Sequence, residues 1–262
     1  MEFEKESAIY EAVGALLGES SGKTSALAIV KEVSAAVNRL TSEKGLDLGA
    51  LSITAGLLWL CRLSSGKFEI AAGRQDLGAL KDFYPILAGV SFRPFAKILE
   101  MVVAVAGNEK LVGSAPIAKT KPSDVWWTSM LAENKAARII GRLPLVENGS
   151  GAEHYLIARE GSAFGFDRSV IAIATSESVT AAWLKAALHK LRVPLFRVVD
   201  MVAVAGGAVL HLVELSHPIT SMSNGIFKLA ETMNGVAIRT AGYLGGYYLP
   251  IVDKGKIVEF KK

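Results

Sequence analysis

The chain has 262 residues, of which 51% are hydrophobic and 21% charged, and its mean hydropathy is +0.35. This composition can bury a core and excludes a disordered chain, and the length fits one large domain or two small ones. A single cysteine, Cys61, excludes an internal disulfide and a thiolate zinc site. Because the four histidines also lack the spacing of metal ligands, we predict neither a metal nor a cofactor.

The positive charge is unevenly distributed along the chain. Residues 132–262 carry 15 basic and 11 acidic side chains, whereas residues 1–131 carry 14 of each. The net charge of +4 therefore comes from the second half, which is compatible with an anionic partner.

The amino-acid usage indicates the growth temperature and the location. Gln75 is the single glutamine of the chain, which has 29 Lys and Arg residues. Few glutamines and many charged residues are favoured at high temperature, so we predict a hyperthermophilic, archaeal source. No apolar stretch reaches the roughly 18–20 uninterrupted residues of a membrane span. The acidic segment Met1–Glu6 is unlike the basic start of a signal peptide, so we predict a cytoplasmic protein without a membrane partner.

The first half of the chain predicts a helix-rich region at residues 1–109. Apolar residues recur at helical spacing, with one short strand at Lys67–Ala72. The predicted helices are Glu4–Leu17, Thr24–Leu40, Leu48–Leu63, Asp76–Ala88 and Pro94–Ala106. Glycines and prolines then predict a loop, and residues 110–122 form the expected linker between two regions.

The second half, residues 123–262, predicts an α+β region. A helix is expected from Ser123 to about Gly141, and another at Ser178–Leu191. The predicted strands are Glu153–Arg159, Arg168–Ala174, Leu195–Val204, Val209–Leu215 and Val236–Val252. The predicted fold class is therefore α+β, with a helix-rich N-terminal region followed by a mixed or antiparallel sheet with packed helices.

The segment Gly18–Thr24 resembles the phosphate-binding loop of RecA/RadA-type recombinases. The resemblance implies that Lys23 would reach the terminal phosphates and Thr24 would hold magnesium. However, Leu17 stands where that loop requires its first glycine, and the preceding segment reads as a helix rather than a strand. We therefore favour a helix–turn–helix connection over nucleotide binding.

Basic and aromatic residues of the second half could bind nucleic acid. Lys185, His189 and Arg192 recur at i, i+4 and i+7 on the helix Ser178–Leu191, and such a stripe can follow phosphates. The pair Trp126 and Trp127 follows lysines and could stack on bases. The full candidate set is Lys185, His189, Lys190, Arg192, Arg197, Trp126, Trp127 and Lys121. No catalytic residue is predicted, because no Ser/His/Asp order or paired carboxylates follow from the spacing.

Two families resemble parts of the second half. The stretch Arg168–Ala230 resembles the β-β-α-β-β-α body of LAGLIDADG homing endonucleases, whose strands form a DNA-binding saddle. The family's catalytic carboxylate would fall on Cys61, so the resemblance implies DNA binding without cleavage. The segment Val170–Tyr248 is instead similar to an ACT-like regulatory domain, with the order β-α-β-β-α-β. That family binds amino acids at domain interfaces, although this chain has Ser176–Ser178 where the family has a turn glycine.

We therefore predict a non-catalytic protein that binds DNA or RNA in an accessory or structural role. One alternative is a self-assembling structural protein, which would form a homo-oligomer. The other is an ACT-like regulatory protein that binds a small molecule.

Overall fold

The computed structural model describes somewhat less than half of the chain. The described residues are 69–77, 91–117, 125–132, 136–143, 153–159, 166–176, 179–190, 193, 195–204, 207–219 and 238–247. The predicted helices at Glu4–Leu17, Thr24–Leu40 and Leu48–Leu63 lie outside these residues.

The described residues contain nine strands and three complete α-helices, and residues 74–77 are also helical, at the start of the helix predicted at Asp76–Ala88. The strands are β1 (Glu69–Gly73), β2 (Phe92–Phe95), β3 (Leu111–Pro116), β4 (Ala137–Leu143), β5 (His154–Arg159), β6 (Arg168–Thr175), β7 (Leu195–Ala203), β8 (Val209–Leu215) and β9 (Ile238–Tyr247). The helices are α1 (Ile98–Gly107), α2 (Ser129–Ala132) and α3 (Ala181–Lys190), and a 3₁₀ turn, Trp126–Thr128, precedes α2. Within the described residues, no helix is both long and apolar enough to span a membrane.

All nine strands belong to one mixed sheet, in the order β2-β1-β3-β5-β4-β9-β6-β8-β7. β1 runs parallel to β2 and β3, and β5 lies antiparallel between β3 and β4. β6, β7, β8 and β9 form an antiparallel group, which joins the rest of the sheet where β4 lies parallel to β9.

The strand β6 is the centre of the antiparallel group. All eight of its residues are buried, and its Val and Ile side chains suit a strand that is covered on both faces. On one face, Ile171 and Ile173 pack with Leu184 and Leu188 of α3. On the other face, Val170 and its neighbours belong to a second core, which also contains α1 and the Trp turn.

The two longer helices cover the sheet with narrow apolar faces. In α1 the buried positions are Ile98, Met101, Val102 and Val105, which share one side of a helix. In α3 they are Leu184, Ala187 and Leu188. The start of α3 is capped, because the hydroxyl oxygen of Thr180 accepts a hydrogen bond of 3.1 Å from the backbone N–H of Trp183.

The sheet is strongly curled. The hydroxyl of Tyr155 on β5 donates a hydrogen bond to Glu214 on β8, and these strands are four positions apart in the sheet. A flat sheet would separate strands four positions apart by about 19 Å, at about 4.8 Å per strand. The sheet must therefore bend between them, so that its β3-β5-β4 part faces the antiparallel group across one shared core.

Three expectations for the chain before β5 are corrected by the structure. A helix-rich region at residues 1–109 is not supported, since its described part contains β1 and β2 besides α1 and the helical residues 74–77. The segment Leu111–Pro116 forms the buried strand β3 inside the expected loop, although the division of the chain at residues 110–122 stays a prediction. The helix expected up to Gly141 ends at Ala132, and β4 follows.

The resemblance to LAGLIDADG endonucleases is wrong. Within Arg168–Ala230, the described residues before α3 form one strand, β6, where the β-β-α-β-β-α pattern requires two. The preceding strand of the chain, β5, does not supply the second, because β5 and β6 are not neighbours in the sheet. β5 pairs with β3 and β4, while β9 occupies the place beside β6. A four-stranded saddle built from β5 to β8 is therefore absent from the described residues.

Candidate functional site

The most unusual feature of the shared core is a buried carboxylate. Glu214 on β8 has no exposed surface. It accepts hydrogen bonds from Arg197 Nε at 2.5 Å and Arg197 Nη2 at 3.1 Å, and from the hydroxyl of Tyr155. The sheet register explains the arrangement, because Arg197 on β7 is the Cα partner of Glu214. A buried carboxylate with three such donors is well stabilised.

A second carboxylate extends this group to β4. Glu153, directly before β5, accepts a hydrogen bond of 3.0 Å from Arg197 and another from Arg142 on β4. Tyr247 on β9 lies against the same arginine, since the guanidinium carbon of Arg142 is 5.6 Å from the Tyr247 ring centre. We call these six residues the junction cluster: Arg142, Glu153, Tyr155, Arg197, Glu214 and Tyr247.

The charges of the junction cluster stabilise one another. Burial alone would raise the pKa of Glu153, but Arg142 and Arg197 hold it below its usual range. Burial alone would lower the pKa of Arg197, but its bonds to Glu214 and Glu153 raise it. Glu153 and Arg197 are therefore ionised near neutral pH.

The two tyrosines of the junction cluster stay protonated. Burial raises the pKa of Tyr155 and of Tyr247, and the nearby charge of Glu214 raises both further. Their rings are 6.2 Å apart, and Trp126 contacts Tyr155 edge-on at the same distance. Each hydroxyl can therefore donate a hydrogen bond.

One polar atom of the cluster, the buried Arg142 Nε, has no hydrogen-bond partner among the described residues. The Tyr247 hydroxyl lies within hydrogen-bonding reach of Glu214, which contributes to the raised pKa of Tyr247. Arginine nitrogens only donate, so the arrangement suits an acceptor such as an anion or a carboxylate. Within the described part of the chain, no three His, Cys, Asp or Glu side chains are grouped to hold a metal.

Two other buried pairs involve histidines. Ser114 Oγ lies 3.2 Å from His154 Nδ1, and Thr175 Oγ1 lies 2.9 Å from His211 Nε2. Burial lowers the pKa of His154 to about 4, so its ring is neutral near pH 7. Ser114 has no exposed surface that a substrate could reach, so we assign the pair to the packing of β3 against β5.

The residues predicted to bind nucleic acid lie in different environments, some exposed and some buried. Lys185, His189 and Lys190 are exposed on the outer side of α3, as the stripe requires. Arg192, Lys121, Lys23 and Thr24 lie outside the described residues, so their roles stay predictions.

Three other members of that set do not face a nucleic acid. Trp126 and Trp127 are 2% and 1% exposed, so neither ring is available to a base. Trp127 Nε1 instead donates a hydrogen bond of 3.1 Å to Asp200 on β7. Arg197 is bound by Glu214 and Glu153, which already neutralise the charge that a phosphate would need.

Most residues of the junction cluster carry no motif that predicts them. One local signal could have indicated Glu214, since it is the single charged residue of the strand VLHLVEL. A carboxylate within an apolar strand requires a buried cation as its partner. The identity of that partner depends on the sheet register and not on a local motif.

Comparisons with known proteins give only distant structural similarity. No family model matches the chain, and no curated protein matches it. Among solved structures, the chain is similar to the quorum-quenching acylase GqqA, with 15% identity, a TM-score of 0.49, and coverage of 70% of this chain and 96% of the acylase.

Two prephenate dehydratases are similar at the same level. The enzyme from Streptococcus mutans has 12% identity and a TM-score of 0.43, with coverage of 68% of this chain and 97% of the enzyme. The enzyme from Staphylococcus aureus subsp. aureus Mu50 has 10% identity and a TM-score of 0.45, with coverage of 69% and 100%.

Proposed function

We propose that the chain is a regulatory protein that binds an amino acid through an ACT-like unit at residues 168–247. The observation that carries the proposal is the strand order β9-β6-β8-β7. In chain order this is fourth, first, third, second, with antiparallel neighbours and α3 between the first two strands. It is the split β-α-β arrangement, and residues 220–237, where the second helix would fall, lie outside the described residues.

The position of the junction cluster supports the same proposal. ACT-like domains bind amino acids at domain interfaces, and the cluster lies where this unit faces the rest of the sheet. A free amino acid carries an ammonium and a carboxylate, and Glu153 and Arg197, the partly exposed pair of the cluster, would exchange their mutual hydrogen bond for bonds to those two groups. Glu153 and Arg197 keep about a third of their side chains exposed, so the cluster is accessible from one side.

Thermal unfolding with each of the twenty L-amino acids tests this proposal. We expect one chemically related group of amino acids to raise the melting midpoint, because a ligand that binds the folded state stabilises it. The D-enantiomers of that group are the matched control and should have no such effect. Stabilisation by none of the twenty, or equally by both enantiomers, would contradict the proposal.

A binding assay with nucleic acids, run beside the amino-acid titrations, distinguishes this function from nucleic-acid binding. Single- and double-stranded DNA and RNA are added across a salt series. Binding through phosphates must weaken as salt rises, with a log–log slope of about −0.7 to −0.9 per contact. Binding that follows this slope and is lost with Lys185→Ala and Lys190→Ala, without any amino-acid effect, would replace our proposal with the nucleic-acid hypothesis.

Self-association is a second candidate, and the strand β7 favours it. β7 is the last strand of the sheet, and it exposes Phe196 and Met201, which are 44% and 52% accessible. A nine-residue edge strand that is apolar apart from Arg197 and Asp200 is a template for pairing with another chain. Light scattering should give an oligomer for the wild type and a smaller species for Met201→Lys. A wild-type monomer would exclude this candidate.

A further inference from the structure

The junction cluster reaches solvent at one pair of side chains. Glu153 and Arg197 are 30% and 33% exposed, whereas Arg142 is 6% exposed and Glu214 has no exposed surface. Both partners of the 3.0 Å hydrogen bond from Arg197 Nη2 to Glu153 Oε2 are therefore accessible. A ligand can compete for this bond from solution.

Each partner of this bond also has a second, buried anchor. Arg197 donates from Nε and Nη2 to the two oxygens of Glu214, at 2.5 and 3.1 Å. Glu153 accepts from Arg197 with Oε2 and from Arg142 with its other oxygen, Oε1. Separating Glu153 from Arg197 therefore breaks a single hydrogen bond and leaves both side chains held in place.

The guanidinium of Arg197 has one edge left for a ligand. Its side edge, Nε and Nη2, binds Glu214, and Nη1 takes part in none of the three hydrogen bonds to Glu214 and Glu153. A planar guanidinium also binds a carboxylate end-on, through two nitrogens at once. Glu153 uses only the Nη2 half of that end, so the end suits a carboxylate that bonds both Nη1 and Nη2.

The charges of the cluster are balanced before a ligand arrives. Arg142 forms a salt bridge with Glu153, and two positive groups meet two negative ones, because Arg197 pairs with Glu153 and Glu214. A simple carboxylate on Arg197 would add a third negative charge beside Glu153, which would have lost one of its two cations. Like charges at such a contact disfavour binding. A zwitterion adds no net charge, and its ammonium can replace Arg197 as a partner of Glu153.

We propose that Glu153 selects amino acids over carboxylates that lack an ammonium group, an inference that rests on the proposed function. The carboxylate of the amino acid binds Nη1 and Nη2 of Arg197, and Oε2 of Glu153 exchanges Arg197 for the ammonium. A carboxylate without the ammonium breaks the same bond but leaves Oε2 of Glu153 without a cation, so the site rejects it.

The test compares probes that differ only in the ammonium group. The pairs are L-alanine and propanoate, L-leucine and isocaproate, L-phenylalanine and hydrocinnamate, and L-glutamate and glutarate. Any further amino acid that raises the melting midpoint is paired in the same way. Isothermal titration at constant ionic strength gives the Kd of each probe. We expect the wild type to prefer an amino acid that binds over its partner acid by at least about tenfold, the effect of one charged hydrogen bond.

In Glu153→Gln the two affinities should change in opposite directions. The neutral amide keeps an oxygen that can accept from Arg142, but it neither attracts an ammonium nor repels a carboxylate. The amino acid should therefore bind more weakly and the partner acid more tightly, and the preference should fall by at least about tenfold. A loss of structure would weaken both probes together and leave the ratio of their Kd values unchanged.

Glu153→Asp and Glu109→Gln are the control variants. Glu153→Asp keeps the negative charge, so it should keep the preference for the amino acid while both probes bind more weakly. Glu109→Gln removes an exposed carboxylate that lies 3.9 Å from Arg159, so neither Kd should change.

The outcomes separate this inference from the proposed function. An amino acid that binds wild type and Glu153→Gln with the same preference over its partner acid overturns the role of Glu153 and leaves the function supported. Partner acids that bind Glu153→Gln but not the wild type, with no amino acid bound by either, support the rejection of simple carboxylates by Glu153 and overturn the amino-acid function. If no probe binds either protein, both are overturned.

Discussion

The junction cluster should contribute far more to stability than an exposed ion pair of the same chemistry. Replacing Glu214 with Gln keeps the size of the side chain and one carbonyl acceptor for Tyr155. It removes the charge that pairs with Arg197 and turns an amide N–H₂ group toward a guanidinium. Two hydrogen bonds from Arg197, at 2.5 and 3.1 Å, lose their charged acceptor. Breaking such a buried pair from one side costs about 3–5 kcal/mol in the free energy of unfolding.

Glu109→Gln is the matched control for this comparison. Glu109 lies 3.9 Å from Arg159, and the side chains are 78% and 44% exposed, so its loss should cost less than about 1 kcal/mol. Equilibrium unfolding in urea at pH 7 measures both variants, and the slope of the transition should stay unchanged. Equal losses for Glu214→Gln and Glu109→Gln would refute the assignment of Glu214 as a buried ion-pair partner.

Two further predictions follow from particular residues. Because the pKa of His154 is about 4 in the folded protein and about 6.5 when unfolded, the unfolded chain takes up its proton first as the pH falls. The stabilising contribution is complete above about pH 6.5 and decreases toward pH 4, by up to about 3 kcal/mol at 1.36 kcal/mol per unit. Urea unfolding at several pH values should give a shallower dependence for His154→Gln, and an unchanged dependence would contradict the prediction. Gly245→Ala should cost at least about 3 kcal/mol, because Gly245 has φ of +128° and an added methyl group would meet the Ile139 backbone. Gly107→Ala at the end of α1 is the control, because no atom lies within 4 Å of an added Cβ there, and it should change stability by no more than about 1 kcal/mol. Equal effects of the two substitutions would contradict the prediction.

The elements of the antiparallel group could be predicted from local sequence. β8 has the bounds that the alternating run Val209–Leu215 predicts, and β6 and α3 begin and end within a few residues of their predicted bounds. Their apolar residues recur at the period of a strand or a helix, and turn residues separate them. Local preference and tertiary packing agree in this part of the chain.

Before β5, the predicted strand Lys67–Ala72 and the predicted helix Pro94–Ala106 correspond to β1 and α1, whereas β3 and β4 could not be predicted in the same way. β3 contains Gly113 and Pro116, which are typical of loops, yet neighbours on both sides bury it as a strand. The residues from Ala137 were predicted as the continuation of a helix, because Ala, Arg and Ile in a row do not separate the two structures. Pairing with β5 determines the strand, and β5 comes later in the sequence than β4.

The junction cluster could not be predicted because its contacts join distant parts of the sequence. Tyr155 and Glu214 are 59 positions apart, and Glu153 and Arg197 are 44 apart. Only the curl of the sheet brings them together, and the curl depends on the pairing of β4 with β9. Local sequence therefore predicts that Arg197 contacts a phosphate outside the protein, whereas in the structure Arg197 binds the carboxylates of Glu214 and Glu153.

That reassignment changes what the positive charge of the second half means. A surplus of basic residues attracts nucleic acid only when the charges are solvent-accessible and unpaired. Here Arg142 and Arg168 are buried, and Arg197 is paired twice, so none of the three is available to a polyanion at the surface. The net charge of the second half therefore overstates the positive charge that a polyanion at the surface could meet, since three of its 15 basic side chains are buried or paired with carboxylates.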